Sequence, residues 1–132
     1  MFLAKMNKEQ QETFLNLAYT MVYADGRLDE AEKRWFDFYK LELSVDVSKA
    51  HKVDFEKSLE IFDKCEQKIN NAVFFEIFAI ALVDDVYADE ERELVEMMKN
   101  RFGISNDKML EMREGLRQLT LAYDAIRKSI QE

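Results

Sequence analysis

Two short acidic clusters hold the residues of this chain best suited to chemistry. The first gathers Asp25, Asp29 and Glu32; the second gathers Asp84, Asp85, Asp89, Glu90 and Glu91. Hard cations such as Ca²⁺ and Mg²⁺ take oxygen ligands, so three carboxylates at one bend, completed by backbone carbonyls and water, can hold a divalent ion. The spacing is not that of an EF-hand loop, which wants glycine at its sixth position and glutamate at its twelfth. Counted from Asp25, those positions hold Glu30 and Phe36. Capping explains the first cluster without an ion: Asp29 with Glu32 three residues on has the capping-box arrangement, and Gly26 can close a preceding helix. The second cluster crowds like charges that a cap does not require, although a helix dipole favours acids at its N-terminus. Both readings stay open.

Other reactive types are sparse. His51 is the single histidine, and without a second histidine or a Glu-x-x-His spacing it cannot anchor a di-iron centre. It lies four residues before Phe55 and is expected as a partly buried structural residue on that apolar stripe. Cys65 is flanked by Asp63 and Glu66, which disfavour a reactive thiolate, so packing is its expected role. A glycine-rich phosphate loop, a CxxC pair and a Ser/His/Asp set are all missing from the sequence. Acid/base catalysis by the many carboxylates needs a pocket, and the sequence marks none. A non-enzymatic domain is expected, with no catalytic or cofactor-binding residue.

The elements that position these residues follow from composition and periodicity. The 132 residues are 48% hydrophobic, enough to fill one core, and contain no proline and three glycines. Glu, Lys, Leu, Ala and Met are plentiful, so the expected class is all-α. Phe14, Leu17, Ala18, Met21 and Val22 share one helical stripe, predicting a helix from about Lys8 to Ala24. A second helix follows Asp25-Gly26, with Ala31, Trp35, Phe38 and Tyr39 on one face, ending near Leu43. One or two helices are expected between Asp46 and Cys65, with a short separate turn at Val47, Ser48 and Ala50. The stretch from Asn70 to Val83 is apolar on most sides, as suits a helix at the centre of a bundle. Leu94, Met97, Met98 and Phe102 mark the next helix, and Gly103 sits where a left-handed C-cap belongs. Met97, Met98, Met109 and Met112 are most simply core. The last helix, about 106–131, carries Met109, Met112, Leu116, Leu119, Tyr123, Ile126 and Ile130 in alternating steps of three and four. That phase continues through Gly115.

An offset of 59 residues superposes the two acidic bends and their flanks. Met21 then matches Ile80, Tyr39 matches Met98, Leu43 matches Phe102, Asp25 matches Asp84 and Glu32 matches Glu91. Each hairpin alone would leave its apolar face bare, so two tandem helical hairpins in one core are expected. They span about 8–45 and 67–104, within one domain covering residues 1–132.

Nineteen basic against 27 acidic residues give a net charge of -8. Such a surface is repelled by phosphate backbones and anionic lipid and suits cations and basic protein surfaces. Nucleic acid is not expected as a partner. The longest apolar run, Ala72 to Val83, contains Glu76 and falls short of the about 20 residues that span a bilayer. A lone cysteine and a start, MFLAKMNKEQ, without the apolar run of a signal peptide make the cytoplasm the expected location.

An apolar helix running into Ala24-Asp25-Gly26, then Leu28, then Asp29-Glu30-Ala31-Glu32, resembles the bacterial TerB-like domains associated with tellurite resistance. The likeness covers roughly residues 10 to 125. Asp84, Asp85, Asp89, Glu90 and Glu91 look like a degenerate second copy, with Asp85 where the first has Gly26 and Ala88 where it has Asp29. The resemblance implies a compact bundle of about seven helices. It also implies a stress-response assembly that binds divalent cations through the acids and acts near the cytoplasmic face of the membrane through its partners. The alternative is a metal-free scaffold, docking a basic protein on its acidic face or pairing the Met109–Ile130 stripe with another chain, including a second copy as a homodimer.

Overall fold

The structure, a computed structural model, describes residues 3, 5–24, 37, 39–82 and 89–131. Helix α1, Lys8–Val22, starts in a reciprocal cap: Asn7 Oδ1 accepts from the Gln10 amide and Gln10 Oε1 accepts from the Asn7 amide, both at 2.9 Å. It buries Phe14, Leu15, Leu17, Ala18, Met21 and Val22. Helix α2 is described at residues 37 and 39–42 and buries Tyr39. A 3₁₀ turn, Val47–Lys49, follows, capped by Asp46, whose carboxylate accepts from the Ser48 amide and hydroxyl.

Helix α3, Phe55–Ser58, runs straight into a 3₁₀ turn, Leu59–Phe62. Asp54 starts it by accepting from the Lys57 amide at 3.1 Å. That cap fixes the fate of His51: the helix begins only at Phe55, so residues 51–54 are irregular and His51 is exposed. The expectation of a partly buried histidine on the Phe55 stripe is therefore corrected.

Helix α4, Gln67–Ala81, is the centre of the molecule, packing on α1 and on α5, Asp89–Phe102. Its buried residues fall on nearly every side, among them Val73, Phe74, Ile77, Phe78 and Ile80. The helix begins and ends 59 residues after α1 begins and ends. Aromatic edges stitch the core together: Phe14 meets Tyr39 at 5.1 Å and Phe62 meets Phe102 at 5.7 Å between ring centres. At the surface Arg101 of α5 grips Asp63 with two hydrogen bonds of 2.8 and 2.6 Å. That grip holds the Asp63 carboxyl below the usual carboxylate range.

Helix α5 closes as a Schellman motif. Gly103 takes a left-handed φ of 68°, the Ile104 amide donates to Lys99 O and the Gly103 amide to Asn100 O. Helix α6, Asn106–Gln131, then runs unbroken through Gly115. Six α-helices occur among the described residues, one fewer than the seven expected, because α3 hands over to a 3₁₀ turn rather than to another helix. Among those residues there is no strand, and no helix is long and apolar enough to cross a membrane.

Candidate functional site

Of the acidic candidates, Asp25, Asp29, Glu32, Asp84 and Asp85 lie outside the described residues. Asp89, Glu90 and Glu91 form the first turn of α5, where the dipole favours negative charge. A helix turns about 100° per residue, so Asp89 and Glu91 point to opposite sides. Asp89 is exposed, whereas Glu91 is 6% exposed and shares the inner face with Val95 and Met98. The two do not converge on one point from this helix. No three His, Cys, Asp or Glu side chains are grouped to hold a metal among the described residues.

The sequence reading missed an interior polar pair. Glu76 on α4 is 1% exposed, and the Tyr39 hydroxyl donates to its Oε2 at 3.4 Å. Burial, reinforced by the Glu76 carboxylate, pushes the Tyr39 phenol well above its ordinary value. Glu42, on the same helix as Tyr39, accepts from the Leu3 amide at 3.3 Å. A carboxylate beside a phenol has the makings of proton transfer, but neither group reaches solvent. Their signal in the sequence was an acid inside the longest apolar run.

A cleft of about 350 Å³ lies between α1 and the Val47–Lys49 turn, lined by Lys8, Glu12, Asn16, Asp46, Lys49 and His51 among others. Three of those residues, Asn16, Asp46 and His51, are engaged locally. The His51 amide donates to Asn16 Oδ1, its Nδ1 sits 3.0 Å from Lys49 O, and Asp46 caps its own turn. Cys65 packs as expected, half-buried, its Sγ accepting from Gln10 Nε2 at 3.1 Å.

Among the described residues, an extended apolar stripe is left exposed. Helix α6 runs for 26 residues and buries none of them. Met109 and Met112 pack against the core, where α6 meets α4. Beyond Leu116 the same stripe leaves the bundle: Leu119 is 48% exposed, Tyr123 67%, Ile126 61% and Ile130 77%. The stripe repeats every seven residues, which is the 3.5-residue period of a helix that pairs with another helix. An amphipathic helix with its apolar side in water is unusual among soluble domains, and exposed apolar patches mark interaction or ligand-binding surfaces.

No family model, curated protein or solved structure matches this chain.

Proposed function

We propose that the protein is a non-enzymatic interaction module that docks a partner helix on the outer half of α6. The observation that carries this is the exposure of Leu119, Tyr123, Ile126 and Ile130 in one heptad seam. A helix-in-groove or coiled-coil partner reads such a stripe through its i, i+3, i+4 and i+7 anchors. The test is affinity capture from the native cell with the wild-type chain and with Leu119→Asp/Ile126→Asp, alongside a differently tagged copy of the chain itself. Partners, the second copy included, should be recovered by the wild type and lost with the variant. Recovery that ignores the substitution would sink the proposal.

A second reading concerns the acids. The acidic cluster occurs twice in the sequence at a 59-residue offset, and Asp89 and Glu90 stand exposed at the start of α5. This favours the TerB-like role suggested by the bend residues: divalent-cation binding in a bacterial stress-response assembly. Since Glu91 turns inward, Asp84, Asp85 and Asp89 are the ligands of the second bend under this reading, and Asp25, Asp29 and Glu32 those of the first. A thermal melt of chelator-treated protein with and without millimolar Ca²⁺, Mg²⁺, Mn²⁺ or Zn²⁺ tests it. An ion at 100 times its dissociation constant adds about 2.7 kcal/mol, a rise of several degrees. Asp25→Asn/Glu32→Gln or Asp84→Asn/Asp89→Asn should abolish the rise, and no rise with any ion removes the reading.

A further inference from the structure

We propose that the occupant of the α6 stripe is a second copy of this chain, lying antiparallel, an inference that rests on the docking role proposed above. The length of free seam selects the register. Leu119, Tyr123, Ile126 and Ile130 are exposed, while Met109 and Met112 are engaged by the chain's own core. Antiparallel helices alternate the two seam positions in each layer. One register uses the four free residues and no others: Leu119 against Ile130 of the second copy, Tyr123 against Ile126, and the two reciprocal layers.

The flanks fit this register. On one side Thr120 faces Arg127 of the second copy, and on the other Ala122 faces Ser129, so no like charges meet and small side chains let the helices approach. Residues 106–131 carry five basic and four acidic side chains, net +1, which leaves the rest of the chain at -9 of its total -8. A parallel pair would set two such acidic bodies side by side and stack Tyr123 on Tyr123. The antiparallel pair separates the two Met112 positions, where each bundle begins, by about 38 Å along the axis at 1.5 Å per residue. That is several Debye lengths at physiological salt, about 8 Å each. Opposed helix dipoles favour the same arrangement.

The overlap is short, about 18 Å of helix, well below a standard interface, so association should be weak, with a dissociation constant of roughly 10 µM to 1 mM. Sedimentation equilibrium of the full chain over that range should show a monomer–dimer equilibrium that Leu119→Asp/Ile126→Asp abolishes. Geometry is read from spin labels on a Cys65→Ser background. A label at Ala125→Cys, beside the two-fold axis, should give a short interchain distance, below about 20 Å, and one at Glu111→Cys about 40 Å from the 1.5 Å rise. Short distances at both positions would mean a parallel pair and overturn the antiparallel geometry. A dimer that survives Leu119→Asp/Ile126→Asp would move the seam elsewhere. A monomer throughout overturns self-pairing, and stripe-dependent recovery of a different protein in the capture experiment would then leave the docking role standing with another occupant.

Discussion

The Tyr39 hydroxyl and the Glu76 carboxylate meet at 3.4 Å inside the bundle, one from α2 and the other from α4. At the 59-residue offset Glu76 corresponds to Leu17, which is equally buried on α1. One hairpin therefore fills this place with an apolar side chain and the other with an acid. A buried carboxylate is costly unless hydrogen-bonded, so Tyr39 is part of what makes Glu76 tolerable there.

Replacing Tyr39 with Phe keeps the ring against Phe14 and removes only the donor. The loss should be about 1–3 kcal/mol, the range for depriving a buried polar group of one partner. Chemical denaturation of Tyr39→Phe, Glu76→Gln and the double variant measures it. Additive losses would show that the two groups are not coupled.

The same pair dictates behaviour in alkali. Because the folded phenol binds its proton more tightly than the ordinary value of 10.0, the unfolded chain loses that proton first. Stability from this group is complete below about pH 10 and falls as pH rises from there through the folded value. Wild-type stability should drop more steeply above pH 10 than that of Tyr39→Phe. Equal slopes in denaturant titrations at pH 9 to 11 would contradict the assignment.

Core and stripe should respond oppositely to truncation although both read as apolar. Phe74 is fully buried in α4, and Phe74→Ala should cost about 3–5 kcal/mol. Ile126→Ala, on the open face of α6, should change the stability of dilute protein by no more than about 0.5 kcal/mol. A large loss at Ile126 in the monomer would place that residue in the core after all.

That contrast also shows how far the sequence could be read. Helix positions were legible because stripes such as Phe14–Val22 and Leu94–Phe102 carry the 3.6 period, and the Gly103 stop because only a left-handed residue closes α5 that way. His51 was misplaced because its four-residue distance from Phe55 matched a helix that Asp54 does not allow to start earlier. Glu76 looked like an interruption because a single acid in an apolar run does not say which way it points. Asp89 and Glu91 looked like neighbours in one cluster, and the helical rotation separates them. The α6 seam was visible as a heptad, but a heptad does not say how much of it packs, and the bundle covers only its first two layers.

Helix α6 carries a local test of electrostatics. The Arg117 guanidinium grips Glu114 with bonds of 2.8 and 2.6 Å, and these hold the Glu114 carboxyl down at about 2. The depressed value means that the pair's contribution is present above the ordinary 4.5 and is lost as pH falls toward about 2. An NMR titration should show the Glu114 carboxyl protonating well below the ordinary 4.5, at about 2. Arg117→Ala should return it toward the ordinary range, and a Glu114 unaffected by that change would show that the contact does not persist in solution.

Two glycines on either side of the start of α6 should give opposite signs for one substitution. Gly103 has a φ of 68° with nothing within 4 Å of an added Cβ, so the penalty for Gly103→Ala is backbone strain alone, about 1–2 kcal/mol. Gly115 lies inside α6, also with open space around it, where alanine stabilises an exposed helix by about 0.5–1 kcal/mol. Thermal melts should therefore fall for Gly103→Ala and rise for Gly115→Ala, provided the outer half of α6 unfolds together with the bundle. If Gly115→Ala leaves the global melt unchanged while amide exchange slows beyond residue 115, the outer helix frays independently of the core. The free seam is then ordered only when something binds it.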